Sequence, residues 1–230
     1  MSTLDLPCVE IDHPDARHSI IWLHGLGDDG HGFAPIVPVL RLPADAAVRF
    51  VFPHAPMRPV TINAGYVMRA WYDILEIGDL NRRLDETNIV ESVAAVHRLI
   101  QCEIDRGILA NHIVLAGFSQ GGLIALNAGL SFAQRLAGIV ALSTYWPEAE
   151  TPVLAPHPQQ ASLPIFCAHG DFDTVVNPNL GQAVRARLQS LGYQTTAYRY
   201  DMGHEVCQDE ILDLSDWLQQ HLLTEHAPSS

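Results

Sequence analysis

The sequence has 230 residues, 48% hydrophobic and 17% charged, so it can bury a sizeable core, and we expect a single domain over residues 1–230. Its net charge of −13, from 13 basic and 26 acidic residues, has the wrong sign for binding nucleic acid or anionic lipid. Every basic residue is Arg, which excludes lysine chemistry such as a Schiff base or a Walker lysine.

The cysteines show no pattern of a metal site, and the N-terminus shows no pattern of an export signal. Cys8, Cys102, Cys167 and Cys207 form no CxxC pair and no metal-ligand spacing. The N-terminus lacks the basic and apolar regions of a signal peptide, and no apolar run approaches the roughly 18 residues of a membrane span. The sequence therefore predicts a cytoplasmic protein with free thiols, without a membrane span, a metal or a cofactor.

Short apolar runs alternate with helical patterns along the chain. The predicted elements are, in chain order, strands 19–23 and 48–52, helix 88–106, strand 112–116, helix 123–130, strands 137–142 and 164–168, helix 179–191, strand 194–200 and helix 208–222. Buried strands that alternate with helices predict an α/β fold, with a mostly parallel sheet covered by helices on both faces.

Local signals set some boundaries in this pattern. Asn88 with Glu91 resembles a capping box and predicts that a helix begins there, and Gly107 is typical of a helix end. Residues 53–87 are rich in proline, arginine and aromatic residues and are expected to form a long irregular connection. Residues 147–163 are rich in proline. Such connections are often lids or binding loops, and for residues 147–163 a plain surface excursion is the alternative. The tail after residue 224 is expected to fray.

The sequence GFSQG at residues 117–121 matches the GxSxG pattern of a nucleophile elbow. The pattern alone is weak, but here an apolar strand precedes it and a helix follows, as the elbow requires. Glycines two residues on either side leave room for a sharp turn that presents Ser119 to a cleft. We therefore expect Ser119 to be a nucleophile.

A serine nucleophile needs a general base, and in this arrangement the histidine comes after the acid in chain order. The histidines after Ser119 are His157 in the proline-rich stretch, His169 beside the acid candidates, His204, His221 on the last helix and His226 in the tail. Only His204 follows a predicted strand directly in a turn, so it is the predicted base.

The acid should lie in a loop between a strand and His204. Asp171 and Asp173 share the loop after strand 164–168, whereas Asp201 is too close to His204 in sequence to reach its ring easily. Composition and spacing leave Asp171 and Asp173 as alternatives, one of them expected to serve an Asx turn or a helix cap.

Two backbone amides are expected to stabilise a developing oxyanion. The amide of Gln120 lies at a helix N-terminus directly after the nucleophile. The sequence HGLG at residues 24–27 follows strand 19–23, and its glycines allow the amide of Leu26 to turn toward the cleft.

Four sequence blocks then resemble one family, the phospholipase/carboxylesterase family that includes bacterial carboxylesterases and the acyl-protein thioesterases. The blocks are LHGLGDDGHGF from Leu23, RPVTINAGYVMRAWYD from Arg58, GFSQGG from Gly117, and HGDFDTVV followed by MGHEVCQDEI. They occur in the family's order and span nearly the whole chain. The resemblance implies an α/β-hydrolase fold and serine esterase activity without a cofactor.

Carried over to this sequence, the resemblance places the nucleophile at Ser119, the base at His204 and the acid at Asp173. It places the oxyanion amides at Leu26 and Gln120. It further implies four substrate-binding residues, with an acyl-binding wall near Leu75, Tyr145 and Val175 and with Trp71 beside the site. For Trp71, Tyr145 and Leu75, ordinary core packing is the alternative. Relatives frequently dimerise, so a homodimer is expected. One departure from the family pattern is Asn177, which stands before Pro178 where relatives often have proline.

Three hypotheses for function follow. The first is a carboxylesterase that cleaves short- to medium-chain acyl esters, with a small acyl ester as its substrate. The second is an acyl-protein thioesterase or a lysophospholipase with the same triad. The third is a non-catalytic binding protein on a hydrolase scaffold, which predicts a broken triad or oxyanion loop.

Overall fold

A central sheet of seven strands organises the protein. The computed structural model describes residues 6–78, 82–147 and 154–223. Its strands are β1 (Cys8–Ile11), β2 (His18–Leu23), β3 (Val48–Pro53), β4 (Met57–Val60), β5 (Tyr66–Arg69), β6 (Ile74–Ile77), β7 (Arg82–Leu84), β8 (Ile113–Phe118), β9 (Gly138–Leu142), β10 (Ile165–Gly170) and β11 (Thr195–Tyr200). Its α-helices are α1 (Gly30–Phe33), α2 (Glu86–Asp105), α3 (Gln120–Ser131), α4 (Pro178–Ser190) and α5 (Gln208–Leu222).

The sheet has the spatial order β1-β3-β2-β8-β9-β10-β11. All neighbouring pairs in it are parallel except β1 and β3, which are antiparallel. The central strands are continuous apolar runs, and β8, β9 and β10 are buried along nearly their whole length. Runs of this kind occur where both faces of a sheet are covered, so the predicted mostly parallel α/β fold is confirmed.

Helices cover the two faces with separate hydrophobic clusters. Val93 of α2, Leu126 of α3 and Leu188 of α4 pack into the cluster on one face. Trp217 of α5 packs on the other face, against apolar side chains of the same strands. None of the helices in the described ranges combines the length and the apolar character that crossing a bilayer requires.

The loops that leave the carboxyl ends of parallel strands carry the candidate site. Strands β2, β8, β10 and β11 end at Leu23, Phe118, Gly170 and Tyr200 respectively. Because these strands are parallel, the four loops that follow them emerge at one edge of the sheet. The sequence segments expected to carry the oxyanion loop, the nucleophile, the acid and the base are therefore gathered at this edge.

The predicted start of the helix at Asn88 is wrong. Helix α2 begins at Glu86, and its N-cap is Asp85, whose carboxylate accepts a hydrogen bond from the Asn88 amide. The Asn88 side chain instead accepts a hydrogen bond from the amide of Asp73, 3.1 Å away. Asp85 is as good a capping residue as asparagine, and its position one turn earlier determines where the helix begins.

The connection 53–87 is not irregular, contrary to the prediction. It forms two small antiparallel hairpins, in which β4 pairs with β5 and β6 pairs with β7. In the proline-rich stretch, residues 148–153 lie outside the described part, as does the tail after residue 224. Beyond that gap, Leu154 and Leu163 pack against the hydrophobic core, and buried Gln160 donates hydrogen bonds to the carbonyls of Phe132 and Gln134.

The buried carboxyl of Glu210, in the first turn of α5, is expected to make the free energy of unfolding depend on pH. Burial raises the pKa of its carboxyl from 4.5 to about 8, although the Cys207 amide acts in the opposite direction. The folded state therefore holds a proton that the unfolded chain releases between pH 4.5 and about pH 8, and stability falls as pH rises through this window.

We expect Glu210→Gln to raise the free energy of unfolding at pH 8 by about 3 kcal/mol and to change it little at pH 5. Urea unfolding at both pH values measures this difference. The neighbouring exposed residue provides a control, Asp209→Asn. Equal effects of Glu210→Gln at the two pH values would contradict a protonated Glu210.

Candidate active site

Ser119 lies at the sharp turn between strand β8 and helix α3. Its backbone has φ +54° and ψ −118°, a conformation that residues other than glycine rarely adopt. The strand-to-helix turn is held by two hydrogen bonds, from the Ser119 amide to the Leu142 carbonyl (2.8 Å) and from the Gly122 amide to the Ser119 carbonyl (3.0 Å). This is the geometry that the GxSxG pattern predicts.

The two glycines of the pattern are required by close backbone contacts. A Cβ atom on Gly117 would lie 2.3 Å from the carbonyl oxygen of Gly121. A Cβ atom on Gly121 would lie 2.4 Å from the carbonyl oxygen of Leu23, at the end of β2. Both contacts are with backbone, which cannot move aside, so any larger residue would push α3 away from the sheet.

The structure brings Ser119, His204 and Asp173 into one hydrogen-bonded chain. Ser119 Oγ lies 2.9 Å from His204 Nε2. His204 Nδ1 lies 2.7 Å from Asp173 Oδ2. Ser119 and Asp173 are buried, whereas the His204 side chain is 16% exposed. The imidazole is therefore the member of the chain that is most open to solvent.

Asp173 is held as a carboxylate by several donors. Its Oδ1 accepts hydrogen bonds from the amides of Val175 and Val176, 2.9 and 2.8 Å away. Burial alone would raise the pKa of the Asp173 carboxyl. Hydrogen bonds from His169, His204 and the Val176 amide outweigh burial and hold this pKa well below its usual value.

The other aspartates have different partners. Asp171 is paired with Arg199 of β11. Asp201 is exposed. Of the two acids that the sequence left open, the structure therefore brings only Asp173 to His204.

Gln120 and Leu26, the residues predicted to supply the oxyanion amides, both lie close to Ser119. The Gln120 amide is at the first position of α3, where a helix N–H has no partner within the helix. The HGLG loop packs against the elbow so closely that a Cβ on Gly25 would lie 3.6 Å from Ser119 Cβ. Leu26, next in the chain, lines the same cavity as Ser119 and His204.

Trp71 braces this loop rather than lining the cleft. Its side chain is fully buried, and the indole N–H donates to the His24 carbonyl at 2.9 Å. The Trp71 amide donates to the side-chain oxygen of Gln120 at 2.7 Å, and the Gln120 side chain donates to the Tyr72 carbonyl at 2.8 Å. Trp71 thus contacts Gln120, which carries one predicted oxyanion amide, and His24, in the loop that carries the other.

His24 completes this brace. The Ala55 amide donates to His24 Nε2 at 3.0 Å, so the proton of the neutral ring is on Nδ1, which donates to the Gly25 carbonyl at 2.7 Å. Burial lowers the pKa of His24, which favours the neutral ring that these contacts need.

A cavity of about 410 Å³ opens beside Ser119. Of the four residues expected to bind substrate, only Val175 lines it. Tyr145 is buried and accepts a hydrogen bond from the Tyr72 hydroxyl at 2.8 Å, and Leu75 is half-buried on β6. The buried positions of Trp71 and Tyr145 fit the packing alternative.

Sequence reasoning missed two residues that support the acid loop. His169 Nε2 donates to the Val176 carbonyl at 2.8 Å and lies 3.3 Å from Asp173 Oδ2. Arg82 donates to the Val175 carbonyl at 2.6 Å, and its guanidinium lies 4.2 Å from the centre of the Tyr145 ring. His169 could have been noticed as the first residue of the acid block, whereas nothing in the sequence near Arg82 indicates its contact 93 residues away.

Within the described ranges, one group of side chains has the spacing of metal ligands. Ligand atoms of Asp29, His31 and His54 lie within 4.8 Å of one another. His54 Nδ1 accepts a hydrogen bond from the Gly30 amide, so Nε2 of the neutral ring carries the proton and offers no lone pair. The group therefore offers at most two ligands, and the chemistry below does not use it.

Comparisons with known proteins agree on one family. The profile of the phospholipase/carboxylesterase family matches residues 5–222. The acyl-protein thioesterase 1 of Neurospora crassa is 44% identical over 217 residues, which cover 90% of this chain and 89% of that protein.

Solved structures of plant proteins are similar too. Arabidopsis thaliana SOBER1 is 32% identical with a TM-score of 0.82, over 90% of this chain and all of that one. Zea mays acyl-protein thioesterase 2 is 26% identical with a TM-score of 0.79, over 94% of this chain and 99% of that one.

The fold and these relatives define an α/β-hydrolase that acts on carboxylic esters. The chain belongs to the phospholipase/carboxylesterase family. The resemblance drawn from the four sequence blocks is thereby confirmed.

The hydrogen bond from Trp71 to the HGLG loop is expected to affect kcat. Trp71→Phe removes the indole N–H and leaves the His24 carbonyl buried without this donor. We expect kcat to fall about 5-fold with little change in KM, because one neutral hydrogen bond contributes about 1 kcal/mol. Affinity for a trifluoromethyl ketone, which forms an oxyanion on the nucleophile, should fall in parallel with kcat/KM.

Trp217→Phe is the matched control, because the indole N–H of Trp217 is buried on α5 without a partner among the described residues. It should leave kcat and inhibitor affinity unchanged. Equal kinetic losses in both variants would show that Trp71 acts only through packing.

Proposed function

We propose that this protein hydrolyses acyl thioesters and carboxylic esters through an acyl-enzyme formed on Ser119. The observation that carries this proposal is the continuous hydrogen-bonded chain Ser119–His204–Asp173, with contacts of 2.9 and 2.7 Å. A non-catalytic scaffold would have no need for this chain, and a strained conformation at Ser119 would cost it stability without benefit.

In the first half of the reaction, His204 Nε2 accepts the Ser119 proton as Oγ attacks the acyl carbonyl. The Asp173 carboxylate keeps the Nδ1 proton in place and stabilises the imidazolium. The imidazolium then returns its proton to the leaving thiol or alcohol as the bond to the acyl carbon breaks. In the second half, His204 activates water, which attacks the ester on Ser119 and releases the carboxylic acid.

The negative charge that develops on the carbonyl oxygen needs donors that are already oriented. The amides of Leu26 and Gln120 are the proposed donors, and each such donor typically lowers the barrier by about 3 kcal/mol. Support comes from the rigid positions of both segments: α3 is anchored against β2 through Gly121, and the HGLG loop is braced by Trp71.

Thioesters are the preferred substrate class in this proposal. Curated relatives between 35% and 44% identical, over about 90% of this chain, carry the name acyl-protein thioesterase 1. These names favour the thioesterase hypothesis over a carboxylesterase restricted to short and medium acyl esters, which remains the second candidate. The two candidates share every step above and differ only in the leaving group and the acyl length.

A substrate panel separates the two candidates. Matched oxygen esters and thioesters of increasing acyl length, with a lysophospholipid added, should show higher kcat/KM for the thioester at each length. Ser119→Ala should lower every rate by at least about 10⁴-fold. Activity confined to short oxygen esters would favour the carboxylesterase, and rates that survive Ser119→Ala would contradict the proposed nucleophile.

The acid loop offers a matched pair of variants. Asp173→Asn should lower kcat by about 10³- to 10⁴-fold, because the wrong tautomer of His204 then faces Ser119. Asp171→Asn, in the same loop, should change kcat less than about 3-fold, since Asp171 pairs with Arg199 and not with His204. Comparable losses in the two variants would contradict the assignment of Asp173.

The pH profile should have a single acid limb. Protonated His204 cannot accept the Ser119 proton, so kcat/KM should fall about tenfold per pH unit on that limb. Asp173 stays ionised there because its pKa is held well below its usual value, and its contribution to stability is lost only at still lower pH. A rate that stays flat from about pH 4 to pH 8 would contradict His204 as the base.

A further inference from the structure

The cavity beside Ser119 has a side that faces the leaving group. In the proposed reaction His204 delivers a proton to that group, so residues next to the imidazole surround it. Glu205 and Val206 follow His204 directly and line the cavity. The Phe118 ring also lines it, with its centre 4.7 Å from the centre of the His204 ring.

The lining of this cavity carries negative charge. Asp28 and Glu205 line the cavity, both side chains are exposed, and none of the residues that line it is arginine or lysine. The Asp28 carboxylate lies over Gly32, where a Cβ would come within 2.1 Å of a carboxylate oxygen. A concave site lined by one sign of charge concentrates ligands of the opposite sign.

Aromatic rings complete the lining. Phe33 and Phe118 border the same cavity, with ring centres 5.5 Å apart and planes at 47°. Both residues are half-buried, so part of each ring remains open. Aromatic faces attract cations, and a lining of aromatic rings and carboxylates recognises ammonium groups, above all quaternary ones.

We propose that this protein selects substrates whose leaving thiol or alcohol carries a positive charge, and that Asp28, Glu205, Phe33 and Phe118 determine this selectivity. The inference rests on the proposed function, since it concerns the group that departs from the acyl-enzyme. The charge stays on the leaving group throughout: the C–S bond breaks, the thiol takes the proton from His204, and the acyl group remains on Ser119.

The test uses three butyryl thioesters of similar size. Their leaving groups are thiocholine, which is cationic, 3,3-dimethylbutanethiol, its neutral isostere, and 2-mercaptoethanesulfonate, which is anionic. We expect kcat/KM to fall in that order, about 10-fold from cation to neutral. A single charge pair about 6 Å apart changes such a ratio by about 3- to 10-fold at dielectric constants between about 80 and 40.

Variants assign the selectivity to residues. Asp28→Asn and Glu205→Gln should each lower the cation-to-neutral ratio about 3-fold, and Phe118→Leu about 2-fold. Asp15→Asn removes one exposed carboxylate in the turn between β1 and β2, at the opposite end of the sheet, and should leave the ratio unchanged. Raising the salt concentration to about 0.5 M should lower the wild-type ratio.

Equal rates for the cation and its neutral isostere, or a ratio that both carboxylate substitutions leave unchanged, would overturn the inference and leave the proposed hydrolysis intact. Failure of the folded protein to hydrolyse any of the three thioesters would instead contradict the proposed function. A ratio that falls equally in Asp15→Asn would show that net charge, and not this cavity, selects the substrate.

Discussion

The left-handed backbone at Ser119 is the constraint on which the site depends. A strained residue of this kind costs about 1–3 kcal/mol, so it persists only where the surrounding structure imposes it. Here it is imposed by the contacts of Gly117 and Gly121 with neighbouring backbone and by the hydrogen bonds of Ser119 with β9 and α3. The result is that Oγ points toward His204 and that the Gln120 amide, at the helix N-terminus, has no partner within the helix.

The segment 53–87 explains how the remaining groups are held around this turn. Its backbone and side chains contact the HGLG loop through Trp71 and the elbow helix through Gln120. Arg82, on its second hairpin, reaches the acid loop at Val175. A segment expected to be a lid or a binding loop therefore joins three of the four loops at the carboxyl edge, and we expect changes within it to alter kcat more than substrate binding.

Much of this arrangement could be predicted from the sequence because it depends on local patterns. The apolar runs of β8, β9 and β10 predict buried parallel strands, and GxSxG between a strand and a helix predicts the elbow. The departure at Asn177 also has a local reason, since Asn177 caps α4 and Pro178 occupies its first turn. The capping box at Asn88 failed because Asp85, one turn earlier, competes for the same role.

Contacts between distant segments could not be predicted in this way. For Trp71 and Tyr145 the sequence left substrate contact and core packing as alternatives. Both side chains are buried, and only three-dimensional packing shows that Trp71 holds the His24 carbonyl. The central claim is that Ser119 is the nucleophile of an acyl-enzyme. Labelling with a fluorophosphonate followed by peptide mass spectrometry tests it most directly. We predict one phosphonyl group per chain, on the peptide that contains Ser119, and none in Ser119→Ala; an unlabelled protein, or a label on another serine, would contradict the account.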